Sequence, residues 1–520
     1  MNLINDVWIP VRRKDGGKLK IAPWQITQGI GTDKEIIELA AVRPDFNGAL
    51  IQFLIGLLQT TCAPKRKSDW RLWLNNPPSA GELRDKFGPV SFAFNLDGAG
   101  PRFMQENLSE DILPKNIEML LMGFPQKNTC EKNADHFIKR GYVIRLCSHC
   151  AAAALFSLQL NAPANSFLRS GIRYGGPVTT VLRGMHGKSY SLWNACWLNI
   201  VGENYFSRFD SFSLNEQDKI FPWLLKTVVD SKVTIQDIHP YQIFWAMPRR
   251  IDMKFKHAEN EFCLLCEESA DLFVEEYLEG IHGISYEGIY PHPLTPLRED
   301  KNNVPQPVSC PGNIGYRYWA GFVVNDNKVG KFKRNPAPVV MERAKYDNVE
   351  IWAFGYRMRQ MNILGWNEGV MPVVCFADED KKLRYDSGVC RLIQAANAVC
   401  WNMSYALTKA SNPKDRKGKS YNKNLREISN MRFWQETEPE FYRQTAFLWD
   451  EVIEDKDGLD VRRAWHGYLV RKALDIFNDM SQAEMIEDVN AERVAKAHNE
   501  LRRNLYGKKL TIKILGLPKN

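Results

Sequence analysis

The sequence predicts an α+β fold, with a large mixed α/β domain over residues 1–378 and a four-helix bundle over residues 379–520. Two observations predict it. Up to about residue 375 the chain shows short β-branched and aromatic runs, broken often by Gly and Pro. Beyond about residue 380 it changes to long stretches with apolar residues at helical spacing, joined by polar links.

Taken in order, Val7-Trp8-Ile9-Pro10-Val11 reads as an edge strand closed by proline. Residues 36–61 have the length and apolar content of a helix, with Ile51, Leu54, Ile55 and Leu58 on one stripe. Residues 177–182 and 193–200 read as strands. In the C-terminal part, Val389, Leu392, Ile393, Ala396, Val399, Cys400, Met403 and Leu407 form one helical face, with Asp386 or Ser387 as its cap. Residues 441–453 and 461–477 are two helices separated by the turn Asp455-Lys456-Asp457-Gly458, and Val494, Ala497, Leu501 and Leu505 mark a fourth. No apolar stretch has the length and continuity of a membrane span, and the start lacks a signal-peptide pattern, so a cytoplasmic location is expected. A net charge of +8 permits contact with nucleic acid without requiring it.

Eleven cysteines in such a chain are read for metal rather than disulfides. Cys147-Ser148-His149-Cys150 and Cys263-Leu264-Leu265-Cys266 are two C-x2-C knuckles, which together supply a four-thiolate structural zinc site stapling distant segments. His149 is the alternative ligand. The stretch Lys127, Lys132, Asp135, His136, Phe137, Ile138, Lys139, Arg140 and Arg145 interleaves cations with an aromatic, which suits phosphate contact with base stacking, although a solvated loop has the same composition. Asn165-Ser166-Phe167-Leu168-Arg169-Ser170-Gly171-Ile172-Arg173 leads through Tyr174-Gly175-Gly176 into a strand; it suits an anion contact or an ordinary strand-entry turn. Tyr356-Arg357-Met358-Arg359-Gln360-Met361-Asn362 is by itself only a polar segment. Lys414, Arg416, Lys417, Lys419 and Lys423 form a basic link between the first two bundle helices. Catalytic patterns are missing: Gly187-Lys188-Ser189 imitates a P-loop end, but Leu182 stands where its first glycine belongs.

In order along the chain, these pieces resemble the CasA family, the large subunits of type I-E CRISPR Cascade complexes. The resemblance rests on Asn2-Leu3-Ile4 with Trp8-Ile9-Pro10-Val11, both knuckles, Ser170-Gly171-Ile172-Arg173, Pro177-Val178-Thr179-Thr180, Phe244-Trp245, Pro291-His292-Pro293 and Gly355-Tyr356-Arg357. It implies an N-terminal domain of unusual topology and a non-catalytic role beside other Cascade subunits with CRISPR RNA. The family recognises the protospacer-adjacent motif in double-stranded DNA, starts strand separation, and recruits a helicase-nuclease. Carried over by position, Gln360 corresponds to the wedge that enters the duplex, with Arg357 and Arg359 beside it. The Phe137, Lys139 and Arg140 stretch corresponds to a DNA-contacting loop. Asn165-Ser166-Phe167, with Arg169 as a further candidate contact just beyond, stands where the family pattern has a run of glycines against the minor groove, and Glu279–Ile281 stands where a lysine finger is placed, so the preferred motif is open. The rival from another class is a metal-dependent nuclease or hydrolase with a scattered carboxylate site.

Overall fold

The computed structural model describes residues 1–124, 140–185, 190–206, 219–326, 333–343, 349–411, 419–482 and 491–518. The chain divides into two compact units, one of Met1–Gly312 with Pro336–Val373, the other of Asn313–Asn335 with Val374–Asn520. The first mixes strands and helices, and the second is built on long helices, giving the α+β class. Asn313–Asn335 lies with the helices although the chain afterwards returns to the first unit.

The first unit is organised around the helix Pro44–Cys62. Pro44 stands in its first turn, where a missing N–H costs nothing, and Asp45 complements the positive helix end. Arg43, restricted by the following proline, is extended. This is why the apolar run 36–61, expected as one helix, divides: Ile36–Leu39 is a strand and the helix begins only at Pro44. The helix is buried on nearly every side. The Phe53 ring meets Trp8, Phe94, Phe103, Phe156 and Trp245 edge-on, with centroids 5.4, 5.8, 5.9, 5.8 and 5.7 Å away. Edge-to-face contacts of this kind add to the area term, and losing such a ring costs about 3–5 kcal/mol.

Three strands flank this core in the order Lys18–Ile21, Ile9–Arg13, Ile36–Leu39. Ile9–Arg13 is therefore the middle strand, not the expected edge. Pro10 is tolerated there because the ladder uses its carbonyl, which accepts from the Ala40 N–H at 2.9 Å. Residues 193–200, expected as a strand, instead contain the helix Leu192–Trp197. Ser191 caps it, its hydroxyl accepting from Asn194 N at 3.1 Å, and helical spacing stacks Trp193 on Trp197 at 5.2 Å. Capping and tryptophan packing outweigh the β-propensity of the run. Thr179–Gly184 is a strand, as expected. It pairs with Val349–Arg359, which pairs in turn with Asn362–Pro372. Arg250–Phe262 and Ser269–Gly280 form a second long antiparallel pair.

In the second unit the helices Glu379–Ser411, Lys419–Ile453, Leu459–Gln482 and Ala491–Leu505 make the bundle. The apolar stripe from Val389 to Leu407 is buried as its spacing predicts. The first helix begins well before the expected caps Asp386 and Ser387. Asp378 Oδ1 takes that role, accepting from Asp380 N at 2.8 Å and Lys381 N at 3.2 Å. The early turns carry charged side chains, so no apolar period announced them. Asp455 and Gly458 turn the chain with φ of 58° and 73°. Tyr316, from the inserted segment, stacks on Phe441 at 4.2 Å and shares a hydrogen bond of 2.7 Å with Thr437. Lys414, Arg416 and Lys417 lie outside the described residues, as do the side chains of Lys419 and Lys423. Among the described residues no helix is long and apolar enough to cross a membrane.

The hairpin Val349–Pro372 rests on the central helix at Gly48, where an added Cβ would lie 2.6 Å from the Trp366 ring. Gly48→Ala is expected to destabilise the chain by about 1–3 kcal/mol through overpacking. Gly467→Ala, on an open stretch of the third bundle helix with nothing within 4 Å of the new methyl, is expected to stabilise it by about 0.5–1 kcal/mol. Urea unfolding of both variants measures this.

Candidate nucleic-acid interface and four-cysteine centre

The two knuckles meet. Cys147 ends the short strand Leu146–Cys147 and caps the helix Ser148–Asn161, with Cys150 N 3.5 Å from its sulfur. Cys263 and Cys266 occupy the turn of the long antiparallel pair, closed by Cys263 N donating to Glu268 O at 2.9 Å and by Glu267 at φ 60°. The four sulfurs lie within 4.8 Å of one another, and the Cys147 and Cys266 sulfurs are 3.8 Å apart. A tetrahedral ion with bonds of about 2.3 Å sets its sulfurs about 3.8 Å apart. The cluster can therefore hold a metal ion. The sulfurs hold their protons unequally: Cys150 is pushed far above the ordinary thiol range by its hydrogen bonds with Cys147, Cys263 and Cys266 and by burial, while Cys263 is pulled far below it by hydrogen bonds from Cys147 and Cys150. Four adjacent thiolates need a cation to balance them. His149, the alternative ligand, stands outside the four; its Nδ1 is 2.8 Å from Lys20 Nζ.

The Gln360 segment proves to be the tip of a hairpin. Arg359 pairs with Asn362, leaving Gln360 and Met361 as a two-residue turn with φ of 48° and 60°. Positive φ at both positions is the primed turn that suits strand twist, normally taken by Asn-Gly. Here two side chains bear it. Gln360, Arg359 and Arg357 are all exposed, and neither arginine forms an ion pair among the described residues. The root of the hairpin is locked: the buried Tyr356 hydroxyl donates to Asp45 at 2.6 Å, and Arg43 grips the same carboxylate at 2.9 and 3.1 Å. Gly312 lies under the Arg357 guanidinium, where a Cβ would sit 2.7 Å from it.

The turn at Gly175-Gly176 packs against this hairpin. A Cβ at Gly176 would lie 2.7 Å from Tyr356 O, and one at Gly175 would lie 3.0 Å from the Met361 sulfur. Two segments far apart in sequence thus share one rim. Upstream, Asn165 Oδ1 accepts from Phe167 N and Leu168 N, both at 2.8 Å, so this side chain shapes its own loop. Ser166 and Phe167 are exposed. Arg169 is paired with Asp230, whose carboxyl it holds below the usual range. His282 Nδ1 reaches Asp230 at 3.2 Å, and its backbone N–H donates to Phe167 O at 2.8 Å. Arg173, read from sequence as part of an anion contact, is buried. It donates to Thr179, Thr295 and Gln52 at 2.8, 3.2 and 2.7 Å, so its role is internal. Burial pulls it down to about 9. Glu279 is likewise internal, paired with Arg249 at 2.8 Å. Phe137 and Lys139 lie outside the described residues. Arg140 has its Nε 4.0 Å from Glu118, and Arg145 is engaged with Glu261 at 2.8 Å.

A family model described as CRISPR-associated protein Cse1 matches residues 2–476. The chain belongs to the CRISPR-associated Cse1 family. Among solved structures it is similar to Cse1 from Acidimicrobium ferrooxidans, with 14% identity over 97% of each chain and a TM-score of 0.67. It is also similar to CasA from Thermus thermophilus, with 14% identity over 97% of this chain and 99% of that one and a TM-score of 0.68. Cse1 from Thermobifida fusca matches with 15% identity over 98% of each chain and a TM-score of 0.66. Identities this low speak for the fold, and the family model for membership. Membership gives the chain its general role, that of a Cascade subunit in a type I-E CRISPR system.

On this Cse1 fold, the expected site residues that are described fall, Arg140 apart, into a sulfur cluster, the hairpin end around Gln360, and the loop of Asn165 to Arg169. The reading of the sequence missed the primed turn, the Met361 contact with Gly175, and the partners Asp230 and His282. Only Gly175-Gly176 before Pro177 left a visible signal, as a doublet marking a tight backbone approach. Gln360→Gly relaxes the left-handed backbone and loses no described side-chain contact. It is expected to raise stability by about 1 kcal/mol, measured as a shift of the urea midpoint at unchanged slope.

Proposed function

We propose that this chain is the non-catalytic subunit that recognises the motif beside a target in double-stranded DNA and starts strand separation with Gln360. The observation that carries this is the hairpin tip, where an exposed glutamine stands on a left-handed backbone with its root clamped by Asp45. Strain is retained where surrounding structure over-determines it, and such places cluster at functional sites. A side chain entering a base step costs a few kcal/mol of unstacking, offset by phosphate contacts and by pairing with the guide RNA. Arg357 and Arg359, two residues apart on one strand and free of ion pairs among the described residues, suit those phosphate contacts. Phe137, Lys139 and Arg140 would add a basic loop, and Phe167 with Arg169 a second approach to the groove. The other Cascade subunits with CRISPR RNA and a recruited helicase-nuclease complete the partners, with cleavage assigned to the latter.

The four cysteines suit zinc, and four thiolates leave no open position for substrate, so its role is structural. The ion would tie the helix Ser148–Asn161 to the turn of the long strand pair.

Gln360→Ala in the assembled complex is expected to slow opening of a matched duplex about tenfold or more, equivalent to ~1.4 kcal/mol, while a pre-opened target is bound as before. Permanganate reactivity of thymines beside the motif reads this, and equal opening by both proteins would remove the wedge. Elemental analysis of protein prepared without chelator is expected to find about one zinc per chain, with metal and stability lost together in Cys147→Ser. Divalent-metal-dependent DNA cleavage by the isolated chain would instead favour a nuclease.

A further inference from the structure

The glycine turn presents one more side chain to the rim. Tyr174 has φ of 56°, and it is 71% exposed. A bulky aromatic in the left-handed region is an outlier that glycine would avoid. Its backbone cannot relax, because both sides are held. Upstream, Tyr174 N donates to Gly171 O at 2.8 Å, and a Cβ on Gly171 would lie 2.7 Å from Leu160 O. Downstream, Gly176 is pressed against the Tyr356 carbonyl. Among the described residues the ring stacks on no other ring and its hydroxyl has no hydrogen-bond partner. The fold therefore gains nothing from this tyrosine that a smaller residue would not give. Its position has a different relation to the hairpin. Gly175 meets Met361, so Tyr174 and Gln360 are the chain neighbours of one contact and stand on one rim.

We propose that Tyr174 is a base-stacking residue, whose ring covers the face of a nucleobase left unstacked where the Gln360 hairpin enters the duplex. This rests on the wedge reading of Gln360. Opening a step exposes a flat π surface to water, and an exposed aromatic ring carried beside it on a held backbone can replace the lost neighbour. Every base has such a face, so Tyr174 holds the opened state without choosing the motif. A residue pre-set by backbone strain also binds without first losing backbone freedom.

The division of labour between the two residues supplies the test. The assembled complex is titrated with a matched duplex and with the same target carrying a mismatched bubble beside the motif. Tyr174→Gly removes the ring and the cost of holding a side chain at positive φ, so thermal unfolding should occur at the same temperature or higher. It is expected to weaken binding to both targets about tenfold, for every motif tried, while Tyr174→Trp and Tyr174→Phe bind like the parent. Gln360→Ala is expected to be weak on the duplex and normal on the bubble. If Tyr174→Gly binds both targets like the parent while Gln360→Ala is impaired on the duplex, the stacking role is wrong and the wedge stands. If Gln360→Ala opens the duplex normally, the wedge reading falls and the stacking role falls with it. A loss as large in Tyr174→Phe as in Tyr174→Gly, or a loss confined to one motif, would make the hydroxyl a reader and overturn stacking.

Discussion

The carboxylate of Asp45 is the point through which the hairpin is tied to the core. It lies in the first turn of the central helix, buried, and accepts from the Arg43 guanidinium and the Tyr356 hydroxyl. Burial opposes the charge on Arg43, yet Asp45 beside it holds the guanidinium above its usual range. Burial and the same carboxylate push the Tyr356 phenol up, so it stays a donor. A buried charge with three well-placed donors is satisfied, and taking away any donor leaves it costly. The effect is positional. Tyr356 lies near the end of an eleven-residue strand, only four residues from Gln360. The helix that anchors Asp45 is in turn held by the aromatic cluster around Phe53, so the core fixes where the tip stands.

Strain collects at the rim thus held. Tyr174, Gln360 and Met361 all have left-handed backbones, and none is Gly, Asn or Asp. Each costs of the order of 1 kcal/mol against glycine. The Gly175-Gly176 doublet gives the room instead, letting the turn approach Met361 and the Tyr356 carbonyl. Glycine is thus placed at the packing positions and side chains are kept at the exposed ones. A sequence selected for stability alone would place glycine at the strained, side-chain-bearing positions as well.

What could be read from the sequence follows from what each feature needs. The cysteine knuckles are local chemistry at fixed spacing, and their meeting needs only that the metal-sized gap be filled. The bundle was legible because a helix buried along one face must repeat its apolar residues; its first turns, charged and capped by Asp378, escaped for the same reason. Residues 193–200 misled because Trp193 and Trp197 suit a strand equally well until Ser191 and the packing of Trp70 decide. Arg173 misled because nothing local distinguishes an exposed arginine from one whose partners, Gln52 and Thr295, lie over a hundred residues away. Gln360 was placed by resemblance, since its segment is only polar by composition. The positive φ at Tyr174 and Gln360 is set by turns that normally call for glycine or asparagine, so a tyrosine and a glutamine there leave no local mark of it.

The two departures from the family pattern are neighbours in the structure. Phe167 stands in the loop where glycines are expected, and His282 directly follows the segment lacking a lysine. Their rings meet edge-on at 6.1 Å, His282 N donates to Phe167 O, and both His282 and Arg169 reach Asp230. The Arg169 guanidinium is here joined to a carboxylate of the same chain. A glycine loop lets backbone N–H groups reach a groove floor, whereas an exposed phenyl ring holds the backbone off and offers apolar area. The Phe167 loop is thus tied to His282 and Asp230, while the Gln360 hairpin is tied to Asp45, so the two sites are held by separate contacts. Phe167, His282, Arg169 and Asp230 form one internally bonded group, in which a carboxylate and a backbone carbonyl of the same chain take up the donors.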